Sequence, residues 1–131
     1  MLIFEFKKLR EQKDNFRAYE GKDGMRRFVD GYYAVAEPLA AMVGMVIGSK
    51  SSCMASLRRS LLQASVRDVL RMVSTGNGDY LRDPSRMFPG LANFDTEHNR
   101  PPNQAPNHGT TMLSHIFVDL ADDVTVTTRK R

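Results

Sequence analysis

The side chains best suited to chemistry in this chain are three histidines, two acidic pairs and one cysteine. His98, His108 and His115 lie in or just after one polar stretch, with Asp95 and Glu97 close by. Imidazole and carboxylate are suitable donors for zinc or a non-haem transition metal. Spacings of ten and seven residues, however, do not place two rings on one helix face as His-x-x-x-His does. The expectation is solvated loop histidines and no cofactor, with these three as the metal candidates.

General acid–base work requires a carboxyl group held where its pKa rises and within reach of a reacting atom. Asp122 and Asp123 fall at an expected turn, where aspartate is favoured for backbone reasons alone. Cys53 precedes an expected helix, which would lower its pKa, but no histidine is fixed beside it in sequence. It reads as a small buried hydrophobe, and a lone cysteine excludes a disulfide-stapled scaffold. The chain holds no Gly-x-Ser-x-Gly elbow, Walker A loop or Gly-x-Gly-x-x-Gly turn. No enzymatic activity is expected.

The basic residues offer a second kind of site. Net charge is +4, and Arg59, Gln63, Arg67 and Arg71 recur every fourth residue, which on one continuous helix would form a stripe. Arg129, Lys130 and Arg131 extend the charge at the end of the chain. Such a distribution suits phosphates or an acidic partner surface. Aromatic side chains interleaved with the basic ones, as single-strand binders use, are sparse.

The elements that would position these residues follow from periodicity. In residues 2–9, Leu2, Phe4 and Phe6 alternate with Ile3, Glu5 and Lys7, which predicts a short strand. Asp23 is a candidate N-cap for a helix through Met25, Phe28, Val29, Tyr32, Val35 and Ala36. Pro38 kinks or restarts it, and Leu39 to Ile47 is apolar nearly all round, as a buried helix is. Ala40, Gly44 and Gly48 recur every fourth residue, which suits close packing within the chain or at a subunit contact.

Ser51 or Ser52 would cap the next helix, whose apolar face is Met54, Leu57, Leu61, Leu62, Val66, Val69, Leu70 and Val73, closed by Gly76. Two helices joined by the short Gly48–Lys50 segment would pack as an antiparallel hairpin. Residues 76–111 hold five of the six prolines and read as a long Pro/Asn-rich loop. Alternation around Ala121–Asp123 predicts a C-terminal β-hairpin over 113–128.

The fold class expected is α+β in one domain over 1–131: a central helical hairpin (helical centre 23–75) on a small antiparallel sheet. With 41% hydrophobic and 26% charged residues, the chain can build one core unaided. No apolar run reaches the ~20 residues that cross a bilayer, and no secretory leader pattern opens the chain. The expected location is the cytoplasm or an assembled particle, such as a virion.

A polar loop rich in proline has little apolar surface with which to hold its own shape. Neighbouring subunits would supply it. The functional expectation is therefore a structural or assembly subunit of a multi-copy, homo-oligomeric complex, such as a viral or phage-type particle. Subunit contacts are assigned to Pro101, Pro102, Pro106, Ala40, Gly44 and Gly48. The alternative is a basic nucleic-acid-binding module using the arginines of residues 52–75.

Overall fold

The computed structural model describes residues 3–10, 13–30, 39–76, 78–101 and 109–120. Among them the order of elements is β1 (Ile3–Leu9), α1 (Lys13–Glu20), α2 (Met25–Val29), β2 (Leu39–Val46), α3 (Lys50–Leu61), α4 (Ala64–Val69), β3 (Phe94–Asn99) and β4 (Thr110–Asp119). The strands form one sheet in the order β1-β2-β4-β3, with β1 and β4 both parallel to β2 and β3 antiparallel to β4. The class is α+β, and the expected strand near residues 2–9 is present as β1. The sheet is mixed, not antiparallel.

The largest departure from expectation is Leu39–Val46, a strand where the sequence suggested a helix. An apolar run of this length fits a buried helix or a central strand equally well by periodicity. Here it is flanked on both sides by parallel neighbours, and a strand buried on both faces reads as continuously apolar. No helical hairpin therefore forms at the centre. Residues 48–49 turn β2 into α3, and Ser49, not Ser51 or Ser52, caps that helix by accepting the Ser52 N–H at 3.2 Å.

The helix expected to run on to Val73 breaks at Leu62, and α4 restarts after Gln63. A straight continuation would carry Ser65 and Val69 round to the face of Leu57 and Leu61. The break turns Val66 and Leu70 toward the core instead and leaves Val69 exposed.

Strand parity sorts the sheet into two faces. One carries Leu9, Ala40, Met42, Val46, Leu113, Phe117 and Phe94, which pack with Phe16, Tyr19, Met25, Phe28, Cys53, Leu57 and Leu61 of the helices. Ala40 and Gly44 belong to this face. A Cβ on Gly44 would press on the Leu9 side chain and stand 3.0 Å from Phe117 Cδ1. The small residues thus serve packing inside the chain, which buries both Ala40 and Gly44. Gly48 lies past the strand at φ +104°, in the turn.

Residues 76–101 are also not one open loop. They contain β3, and Met72 and Arg82 make isolated bridges to His98 and Asp95 along its outer edge. The β-hairpin of this fold pairs β3 with β4. The one expected around Ala121–Asp123 falls outside the described residues.

Candidate interaction surface

Two of the three candidate histidines are brought together, and they are brought together in the core. β3 and β4 place Thr96, His98 and His115 on the helix-covered face, all fully buried, so these are not the solvated loop histidines expected. His98 Nδ1 lies 2.7 Å from the Leu70 carbonyl and its Nε2 2.7 Å from Thr96 Oγ1. Thr96 Oγ1 is 2.8 Å from His115 Nε2, and His115 Nδ1 is 2.7 Å from the Tyr19 hydroxyl.

The Leu70 carbonyl can only accept, which fixes the direction of the whole chain for neutral rings. His98 Nδ1–H donates to Leu70, Thr96 O–H donates to His98 Nε2, His115 Nε2–H donates to Thr96, and Tyr19 O–H donates to His115 Nδ1. Burial holds both rings neutral. It lowers His98 to about 4 and His115 well below its ordinary value, where a proton on His98 and the Arg58 charge would oppose protonation further. Burial likewise raises the Tyr19 hydroxyl well above its usual range.

Every ring nitrogen is thereby occupied, leaving no lone pair for a metal. The relay locks α1, the segment after α4 and two strands together, and Phe94 stacks on His115 at 4.6 Å between centroids. Among the described residues no group of three or more His, Cys, Asp or Glu side chains is placed to hold a metal ion. His108 lies outside them.

A second buried polar cluster was not legible as such. The Asp95 carboxylate accepts from Ser85 Oγ (2.6 Å), Ser114 Oγ (2.8 Å), Arg86 N–H (2.8 Å) and Met87 N–H (3.3 Å). It sits on the sheet face opposite the helices, and these bonds fasten residues 85–88 across the β3–β4 end of that face. Phe88 and Ala92 then pack on Ala41, Val43 and Ile116. Beside it Glu97 pairs with Arg82, so the Asp95/Glu97 pair is structural.

One carboxyl group does titrate near neutrality. Glu20 accepts from Ser60 Oγ at 2.7 Å, and burial pushes it up to about 7 although that hydroxyl lowers it. It lines a cleft of about 290 Å³ with Arg17, Arg26, Ser65 and Val69. No histidine or second carboxylate lines the cleft among the described residues, so Glu20 can exchange a proton there without a partner to pass it on.

The arginine stripe does not survive the break at Leu62. Arg59 is exposed on α3, with Nη2 3.0 Å from Ser56 Oγ. Arg67, on α4, stacks over Tyr80 at 4.4 Å. Arg71, beyond α4 at φ +48°, binds Asp30 at 2.9 Å, and Asp30 also holds Arg26 at 3.0 Å. These cations stand on three segments, and each has a partner within the chain. Arg129, Lys130, Arg131, Pro102 and Pro106 fall outside the described residues, and Pro101 is half-buried.

The feature that sequence reasoning missed is the β1 end of the other sheet face, on which no helix packs among the described residues. Register places Phe4, Phe6 and Lys8 of β1 on that face with Leu39, Ala41, Val43 and Met45 of β2 and Met112, Ser114, Ile116 and Val118 of β4. Residues 85–92 cover its β3 end. Toward β1, Phe4 (43%), Phe6 (56%), Leu39 (44%) and Val118 (40%) remain exposed, all on this one face. The alternation of residues 2–9 contained the signal, but not which half of it would face the core.

Comparison with protein-family models, with curated proteins and with solved structures returned no match for this chain. Among the described residues no helix is long and apolar enough to cross a membrane.

Proposed function

We propose that this chain is a structural or assembly subunit of a multi-copy complex, of the kind that builds viral and phage-type particles. One observation supports the reading: four large apolar side chains stand exposed on one face of the sheet, while on the opposite face Leu9, Ala40, Met42, Val46, Leu113 and Phe117 are buried with the chain's own helices. Phe4 and Phe6 alone leave roughly 200 Å² of apolar surface in water, taking about half of a phenylalanine's burial for each. Covering it would contribute about 5 kcal/mol per copy at the usual transfer coefficient. Exposed apolar surface gathered on one face is what a protein contact covers, and Lys8 of the same face is exposed too.

The Pro/Asn-rich segment supports this less than the sheet does. Its residues 85–88 are held by Asp95 of the same chain. The nucleic-acid alternative rests on cations that are largely engaged within the chain, at Arg67 and Arg71.

Light scattering of the purified chain over a range of concentrations tests the proposal. The expected mass exceeds one copy, and Phe4→Asn or Leu39→Asn lowers the association. A monodisperse monomer at every concentration would end this reading.

A further inference from the structure

The assembly reading does not say which surface of one copy meets which surface of the next. Backbone geometry narrows it. The Leu9 carbonyl accepts the Ile47 N–H, so Leu9 turns its backbone groups toward β2. Because these groups alternate in direction along a strand, Ile3, Glu5 and Lys7 do likewise, whereas Phe4, Phe6 and Lys8 turn theirs outward. Among the described residues no strand pairs with that outer edge. The opposite edge of the sheet is occupied: Val73 N–H donates to Glu97 O, Asn99 N–H to Arg71 O, and Arg82 and Asp95 exchange backbone bonds. A copy adding its β1 to the β3 edge of another would find those groups taken.

We infer that a second copy of this chain pairs its β1 antiparallel with β1, about a two-fold axis through Phe6, joining the two sheets edge to edge. The inference rests on the assembly reading and specifies its contact. In this register the outward residues form the hydrogen-bonded pairs: Phe6 opposite Phe6, and Phe4 opposite Lys8 in both directions. All seven residues of the strand find a partner, from Ile3 against Leu9 onward.

Glu5 and Lys7 then fall at the non-hydrogen-bonded pairs, where side chains approach most closely. Glu5 of each copy faces Lys7 of the other. Within one copy Lys7 Nζ already lies 3.5 Å from Glu5 Oε2, and Arg27 Nη1 lies 3.9 Å from Glu5 Oε1, so these charges stand together beside the edge. Sliding by one pair in either direction sets Glu5 against Glu5 or Lys7 against Lys7, and like charges directly opposite oppose pairing. Charge therefore selects the one register that also uses the full strand.

The axis is normal to the sheet, so both helical layers lie on one side. On the other side the Phe6 rings of the two copies meet across the axis, each beside the Phe4 ring of its own strand at 6.5 Å between centroids. The contact is isologous and closed, as in most homodimers.

Charge reversal tests this on the full-length chain. Glu5→Lys alone faces lysine with lysine, and Lys7→Glu alone faces glutamate with glutamate. Each single variant should run as a monomer by light scattering while keeping its far-UV circular dichroism. Mixed in equal amounts, they set two lysines against two glutamates and should recover the dimer, as should the double variant Glu5→Lys/Lys7→Glu. Recovery on mixing cannot come from chains that fail to fold. If both single variants keep the wild-type oligomeric mass, the strand pairing is wrong and the assembly reading stands on another surface. If the single variants dissociate but neither the mixture nor the double variant recovers the dimer, the register is wrong. If the wild-type chain is itself a monomer at every concentration, both fall.

Discussion

Acidification should work against the buried histidine relay of this protein. His98 is fully buried, donates to the Leu70 carbonyl and is lowered from 6.5 to about 4. A histidine whose pKa is depressed by folding stabilises the folded state above its unfolded value, where it is neutral in both states. That contribution is lost as pH falls from 6.5 through 4, because the unfolded chain takes up the proton first. With those two values, linkage gives a loss of about 2 kcal/mol at pH 5 and about 3 kcal/mol at pH 4. His115, depressed well below its usual value, acts in the same direction. Glu20 acts in the opposite one: raised from 4.5 to about 7, it favours the folded state below 4.5 and loses that contribution as pH rises through 7. A variant comparison removes the Glu20 effect.

The perturbation is His98→Asn, whose amide can still donate toward Leu70. Urea denaturation at pH 7.5 and pH 5 gives the stability of each protein. The variant is less stable than the wild type at pH 7.5, but its loss between the two pH values should be smaller by about 2 kcal/mol. In the wild type, the His98 imidazole resonances should stay fixed from pH 8 to pH 5. Equal pH dependence in the two proteins, or a His98 resonance titrating near 6.5, would refute the neutral buried relay.

Two further outcomes follow from the packing. Asp95→Ala leaves two buried serine hydroxyls and two backbone N–H groups without their acceptor. It should cost roughly 3 kcal/mol or more and expose residues 82–92 to limited proteolysis; unchanged cleavage there would contradict the anchoring role. Gly44→Ala presses a methyl group onto Leu9 and Phe117. Overpacking of this kind costs about 1–3 kcal/mol, and thermal denaturation should show it, whereas an unchanged Tm would mean the strands can spread.

Local pattern revealed β1 and the existence of the 50–61 helix, because short alternation and capped periodicity are decided by near neighbours. It failed at Leu39–Val46, where helix and central strand demand the same composition and only the two flanking strands decide between them. The same ambiguity turned Ala40 and Gly44 into apparent helix-packing residues; in a strand, positions four apart also share a face. At the end of the chain, alternation marks a strand without saying which half of it meets the helices. Leu113, His115 and Phe117 face the helices, while Ile116 and Val118 face away. A histidine in that phase looks polar in sequence and becomes core only because Thr96 and Tyr19 arrive from elsewhere to satisfy it. The arginine stripe failed for a simpler reason: a stripe requires an unbroken helix, and burial of Val66 and Leu70 breaks this one.

The two ends of the sheet face opposite the helices differ in a way that, under the proposed assembly, directs association to one edge. At the β3 end the face is polar, with Asp95, Glu97 and Ser114, and it recruits a segment of its own chain through hydrogen bonds. At the β1 end the same face is aromatic and aliphatic, offering nothing that would fasten a polar loop. Among the described residues, the hydrogen-bonding edge is occupied where the sheet is polar and unpaired where it is apolar. Apolar burial and backbone pairing can then be completed together at β1, where Glu5 and Lys7 restrict the match to one register.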